Sequence, residues 1–202
     1  DKIANLPYDE KLAILRQPDF RAQLLSESNP DERLAYRVSC WERIFPLGDP
    51  PDYEPGPDQS IAALAARTNK SPDEFAYDML LEDGGKTLLY RPLSNYTYGD
   101  LETVKDMFSH PNSLVGLGDG GAHVSIISDA SAFTYMLTHW TRDRTRGDKA
   151  PLPWAIKRMT RDNAAAIGLN DRGLLRPGYK ADINVIDYDR LRLHAPKVAY
   201  DL

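Results

Sequence analysis

From residue 86 onward the chain alternates short apolar runs with amphipathic stretches, and this alternation limits its fold more than any other feature. Thr87-Leu88-Leu89-Tyr90 has the length and composition of a buried strand and is ended by Arg91-Pro92. Asp100 then caps a predicted helix that turns Leu101, Val104, Met107 and Phe108 inward and closes at His110-Pro111-Asn112. A second apolar strand is predicted over 114–118. The next helix is predicted from Asp129 to Trp140, with Ala132, Phe133, Met136, Leu137 and Trp140 on one stripe. Pro151 to Met159 and Asp162 to Ile167 read as two more helices, the latter stopped by Gly168. Leu174-Leu175-Arg176-Pro177-Gly178 reads as a turn, and Ile183-Asn184-Val185-Ile186 as a late strand between Asp182 and Asp187. Strands alternating with helices imply an α/β fold, a parallel sheet with helices packed outside it. The strands are too few to close a barrel, since an eight-stranded one takes about 250 residues.

The first half is more helical. Residues 8–27 read as a helix interrupted at Pro18, the second part opening with Asp19 and ending at Asn29-Pro30. Trp41 to Phe45 reads as a short strand closed by Pro46. Residues 48–58 are so rich in proline that an exposed loop or linker is expected. Ser60 caps a helix with Ile61, Leu64 and Ala65 on one face. Ser71-Pro72-Asp73-Glu74 is a capping box with proline at the first helical position, opening a helix that buries Phe75, Met79 and Leu80 and stops at Gly84-Gly85.

Charge and cysteine content exclude several classes of function. With 25 basic and 30 acidic residues the net charge is −5, which is no footprint for nucleic acid. Arg142-Asp143-Arg144-Thr145-Arg146 is interleaved with acid and reads as a solvated, ion-paired loop. Cys40 is the one cysteine, so no intrachain disulfide forms, and a reducing, cytoplasmic setting fits. Trp41 and Ile44 beside it predict a buried, inert thiol. No apolar run reaches the ~18–20 residues of a membrane span. The chain opens at Asp1 without an initiator Met or a signal-peptide pattern, as expected of a segment of a longer protein.

The stretch Leu114-Val115-Gly116-Leu117-Gly118-Asp119-Gly120-Gly121-Ala122-His123 is where function has to be sought. In a parallel α/β sheet, ligands sit at the carboxyl ends of strands, and an Asp there among glycines is well placed to meet one. Asp-Gly is equally a favoured hairpin pair, with Val115 and Leu117 on one arm and Val124, Ile126 and Ile127 on the other. Pattern alone favours the turn. His123 is by the same standard an ordinary hydrogen-bonded histidine, unless it shares a pocket with Asp119. The four histidines, His110, His123, His139 and His194, form no H-x-H or H-E-x-x-H pair. The chain could supply a carboxylate, Asp119 for example, but its own motifs complete no zinc site. There is no G-x-G-x-x-G loop before a helix, no Walker lysine and no G-x-S-x-G elbow.

Three runs taken together carry a resemblance. Gly116-Leu117-Gly118-Asp119-Gly120-Gly121-Ala122-His123 is followed by Thr160-Arg161-Asp162-Asn163-Ala164-Ala165-Ala166-Ile167-Gly168-Leu169. Arg172-Gly173-Leu174-Leu175-Arg176-Pro177-Gly178-Tyr179-Lys180-Ala181-Asp182 then leads into the apolar 183–186. In this the chain resembles the C-terminal part of the amidohydrolase superfamily, in its D-aminoacylase-like branch of N-acyl-D-amino-acid deacylases. The resemblance implies late units of a (β/α)₈ TIM barrel over 1–168 and part of an accessory β-sandwich over 169–202. Taken alone, the segment is expected to be mostly helical. It further implies that 87–90 and 114–118 are the seventh and eighth barrel strands, with Asp119 at the end of the eighth.

The implied enzyme is a zinc-dependent hydrolase of a non-peptide C–N amide bond in a small molecule such as an N-acyl amino acid. Zinc in such enzymes lowers the pKa of bound water. Asp119 takes the role of proton shuttle, accepting a proton as hydroxide attacks and returning it to the leaving amine. His123 takes the role of substrate-carboxylate ligand. The resemblance places the histidine metal ligands upstream of Asp1, so the segment alone is expected to be inactive. Residues 124–130 lack the arginine typical of the branch, and Arg142 or Arg144 would have to replace it. A partial barrel is also expected to self-associate. The alternative is a non-catalytic binding or scaffold module that kept the fold without a metal.

Overall fold

The computed structural model describes residues 3–28, 30–116 and 130–198. It is mostly helical, with one small sheet, and divides into two units, Asp1–Gly99 and Asp100–Leu202. No helix among the described residues is long and apolar enough to cross a membrane.

The first unit opens with α1 (Tyr8–Leu15) and α2 (Pro18–Ser26), separated where Pro18 takes the first helical position. A third helix, α3 (Glu32–Ser39), was not predicted from the sequence; none of its residues is buried. Its start is nonetheless marked by Asp31, whose Oδ1 accepts from the backbone N–H groups of Arg33 and Leu34. Helices α4 (Ile61–Thr68) and α5 (Pro72–Leu80) begin as predicted. Ser60 Oγ accepts from Ala63 N, and Ser71 and Glu74 form the reciprocal capping box. Ile44, Ile61 and Ala76 form the buried centre, with Trp41, Phe75, Met79 and Leu89 packed against it. Leu80, predicted to be buried, is exposed, and Tyr77 is buried instead, its hydroxyl donating to Leu15 O at 2.6 Å. Asp78 ties α5 to α2 through a two-point contact with Arg21 at 3.0 and 3.2 Å.

The sheet corrects three expectations. Its strands β1 (Phe45–Leu47) and β2 (Leu88–Tyr90) are antiparallel, pairing Phe45 with Tyr90 and Leu47 with Leu88, where a parallel sheet was expected. Residues 41–43 form a 3₁₀ turn, and Pro46 lies inside β1 instead of closing it. A two-stranded sheet has only edge strands, which tolerate a residue without N–H. The proline-rich loop is not an exposed linker: Glu54, Pro55 and Gly56 are buried. Its polar groups are satisfied from the unit itself. Tyr96 Oη donates to Pro55 O at 2.6 Å, Gly56 N to Gln59 Oε1 at 2.7 Å, and Glu54 N to Asp52 Oδ1 at 2.8 Å. Cys40 is half-buried, not buried, with Sγ 4.0 Å from Glu42 Oε2.

The second unit contains α6 (Glu102–Ser109), then α7 (Ala132–Tyr135) running on as a π-helix to Asp143. Next comes α8 (Leu152–Lys157), continuing through a π-helical turn, Arg158–Asp162, into α9 (Asn163–Ala166). The helix predicted to run to Trp140 is thus present from Ala132 but widened within, the two predicted over 151–159 and 162–167 run together through a π-helical turn, and Phe133 is left exposed. Met136, Trp140 and Ala155 form the core, against which Leu101, Val104, Phe108, Val115 and Trp154 pack. Met107, predicted to be inward, is exposed.

Neither 114–116, the described part of the predicted eighth strand, nor 183–186 carries strand pairing. Ile183 and Val185 are 61% and 97% exposed. The turn before them is as predicted: Tyr179 N donates to Arg176 O at 3.0 Å, with Pro177 and Gly178 at the centre of a type II turn. Gly178 has φ +82°, the position where that turn needs glycine. Gly173, also at positive φ, lies so close to the preceding helical run that a Cβ would come within 2.7 Å of Arg161 Cα.

Carboxylates make ion pairs and hydrogen bonds inside each unit, which gives the stability of each a sign with pH. The Ser71 N–H and hydroxyl hold the Glu74 carboxyl below its usual range. Burial pushes Asp78 up, but hydrogen bonds from Lys70 and Arg21 outweigh it and leave it lowered. Arg142 lowers Asp143, and Lys157, seconded by Arg158, lowers Asp162. A carboxyl depressed in the folded state stabilises it above the unfolded pKa, and the contribution is lost as pH falls through the folded value. The urea midpoint is therefore expected to fall as pH drops from about 5 to about 2. A midpoint that holds level over that range, followed by circular dichroism, would contradict this.

Candidate functional site

The chain leading to Asp119 leaves α6 through His110-Pro111-Asn112 and runs over 113–116. Asp119 and His123 themselves lie outside the described residues, so the site is built here from the groups that hold its approach.

Arg158 is the chief of these. Its side chain is buried, and its Nη2 donates to Phe108 O and His110 O, each at 3.1 Å, and also to Ser113 O. The last carbonyls of a helix lack intrahelical donors, and a guanidinium placed on them also favours the helix dipole. Arg158 is fixed in turn by Asp162, 3.4 Å from Nη1, and by Trp154, whose ring centre lies 5.7 Å from Cζ. Asp162 also pairs with Lys157 at 2.5 Å. One turn on, Asn163 Nδ2 donates to Val115 O at 2.6 Å and more weakly to Met159 O at 3.4 Å. The sequence reading did not single out Arg158. The signal was its i,i+4 spacing to Asp162, with Trp154 four residues before it.

The two arginines considered for a substrate carboxylate are engaged elsewhere. Arg144 is fully buried, with Nη2 2.9 Å from Glu102 Oε1, Nη1 donating to Asp148 O at 3.0 Å, and Cζ 4.6 Å from the centre of the Trp140 ring. Arg142 pairs with Asp143 at 2.7 Å and donates to the carbonyls of Tyr188 and Leu191. The run 142–146 is therefore not simply a solvated loop. Arg142 joins the helical part of this unit to its later chain, and Arg144 ties the run to Glu102 of α6.

No three His, Cys, Asp or Glu side chains among the described residues come together to hold a metal. His110 Nδ1 accepts from Asn112 N at 3.2 Å, and His139 stacks on Tyr135 with ring centres 4.4 Å apart. His194 is exposed. The described donor set does not fit a zinc ion, whose sites take three or four N, S or O ligands.

Comparison with known proteins settles the family. The amidohydrolase family profile matches residues 51–202, well over half of the chain. This chain belongs to the amidohydrolase family. Neither a curated protein sequence nor a solved structure matches it. Within this amidohydrolase, the matched region includes Asp119, His123, Arg158, Asn163 and the Arg176-Pro177-Gly178 turn. Family membership supports a hydrolase activity.

Proposed function

We propose that this amidohydrolase hydrolyses a non-peptide C–N amide bond, that of an N-acyl amino acid in the manner of the D-aminoacylase-like branch. In this reading Asp119 is the proton shuttle and His123 a ligand of the substrate carboxylate. The observation that carries the proposal is the family match across 51–202, which takes in the whole Gly116–His123 run. Attack of water on an amide needs a base for the water's proton and an acid for the leaving nitrogen. One carboxylate can serve as both in turn. Asp119, flanked by glycines in the sequence, is the group assigned to that work. Family members commonly use metals, and zinc is the metal proposed here. Its ligands are sought outside the described residues, and the chemistry assigned to this chain is the proton transfer. Residues 1–168 are read as late barrel units and 169–202 as part of an accessory sandwich.

The test is turnover of N-acetyl-D- and N-acetyl-L-amino acids by the full-length enzyme beside its Asp119→Asn variant. Release of free amino acid that depends on Asp119 is expected, and release that ignores Asp119 overturns the assignment.

The proposal also covers association. Ile183, Val185 and Ile186 lie together on an exposed run, as do Leu174 and Leu175 nearby in sequence. Exposed apolar, unpaired backbone recruits another strand. The 202-residue chain on its own is expected to self-associate, with a sedimentation coefficient that rises with concentration. A monomer that persists at high concentration would refute this.

A further inference from the structure

The approach to Asp119 is held by side chains from a single later helical run. Arg158 gathers the carbonyls of Phe108, His110 and Ser113, and Asn163 holds that of Val115. Four carbonyls within eight residues are thus taken by two side chains, five positions apart, on the run from α8 to α9. Val115 is at the same time packed into the core beside Met136, Trp140 and Ala155. The chain is fixed up to residue 115, four positions before Asp119.

The Asn163 amide carries a second clue. Its Oδ1 is buried and has no hydrogen-bond partner among the described residues. Nδ2 faces two carbonyls, Val115 O and Met159 O, so the amide cannot be turned to relieve the oxygen without setting oxygen against oxygen. A buried acceptor without a donor costs stability. An apolar residue of the same size would be free of that cost, so what the asparagine contributes in return is the tether to Val115.

We propose that Arg158 and Asn163 are positioning residues that set where the glycine run begins and so where Asp119 is presented to its substrate. This rests on the reading of Asp119 as the proton shuttle. Arg158 anchors the segment from the end of α6 to Ser113, and Asn163 sets the last fixed carbonyl before the turn. A carboxylate whose backbone starts from a displaced point loses the alignment that proton transfer needs, and a displacement of about 1 Å costs on the order of 10²-fold in rate.

The deciding variant is Asn163→Leu in the full-length enzyme. It keeps the volume, removes the tether and removes the unpartnered oxygen. A purely structural asparagine would then leave kcat unchanged whatever the melting temperature does, because the change that removes the unpartnered oxygen also takes the donor from Val115 O. The expected result is a melting temperature within a few degrees of wild type, KM within a few-fold, and kcat lowered by roughly 10–100-fold. Amide hydrogen exchange of residues 113–116 is expected to quicken with no change elsewhere in the unit. Arg158→Lys, which keeps the charge but loses the fork that reaches several carbonyls, is expected to lower kcat in the same way.

A double variant separates this inference from the reading beneath it. If Asn163 acts through Asp119, Asn163→Leu lowers kcat little further in the Asp119→Asn background. Full additivity there, or unchanged kcat and exchange in Asn163→Leu alone, overturns the positioning role while leaving the shuttle intact. Near-normal turnover by Asp119→Asn alone overturns the shuttle, and the positioning role with it.

Discussion

Replacing Asp119 with asparagine in the full-length enzyme is expected to lower kcat by about 10²–10⁴-fold, with KM close to the wild-type value. The two side chains have nearly the same shape, and asparagine still offers an oxygen that accepts a hydrogen bond. What it cannot do at neutral pH is take up a proton and give it back. Amide hydrolysis asks for both acts, because the attacking water must lose a proton and an amine leaves far more readily once protonated. A loss confined to kcat is the sign of an interaction made in the transition state alone. Metal content by elemental analysis should stay at the wild-type level, which separates a lost shuttle from a lost metal ligand. The acid limb of the wild-type pH–rate profile should disappear with the carboxyl that causes it. Turnover within a few-fold of wild type would return Asp119 to the hairpin reading.

Trp140→Ala is the substitution expected to cost most in stability. Trp140 is 3% exposed and stands where the second unit's contacts converge. The Phe108 ring meets it edge-on at 4.6 Å, and the Arg144 guanidinium lies over it at the same distance. Removing a buried tryptophan costs about 3–5 kcal/mol through lost burial and the cavity left behind. Here it also strips the buried Arg144 charge of its aromatic face and leaves Phe108, whose carbonyl Arg158 holds, without its main ring contact. Whole domains are stable by only about 5–15 kcal/mol, so much of the second unit's stability should be lost. Urea unfolding should show a markedly lower midpoint, and Trp140→Phe, which keeps a ring in place, a smaller drop. A midpoint for Trp140→Ala within experimental error of wild type would mean that this core does not carry the unit.

The helix starts were legible in the sequence because they depend on neighbours. Ser60, Ser71 with Glu74, and Pro18 act within three or four residues of themselves, and each stands where its spacing put it. The type II turn at Arg176–Tyr179 and the helix stop at Gly168 were legible for the same reason. Sheet geometry was not. Thr87–Tyr90 has the composition of a strand, but whether its partner runs beside it or against it depends on a segment more than forty residues away. The proline-rich loop looked solvated because proline rules out helix and sheet interior. The hydroxyl of Tyr96, which lets that loop be buried, is likewise remote in sequence.

The candidate site divides in the same way. By itself the sequence determined the runs that carry the family resemblance, and that resemblance, where residue pattern favoured a turn, made Asp119 the carboxylate to test. The spent state of Arg142 and Arg144 was decided only by tertiary structure, because an arginine's availability depends on which carboxylates and carbonyls surround its guanidinium. The same holds for Arg158 and Asn163. A guanidinium that serves three carbonyls, and an amide that holds a fourth, act on groups 45 to 50 residues away. Local pattern carries no record of a contact that only folding brings together.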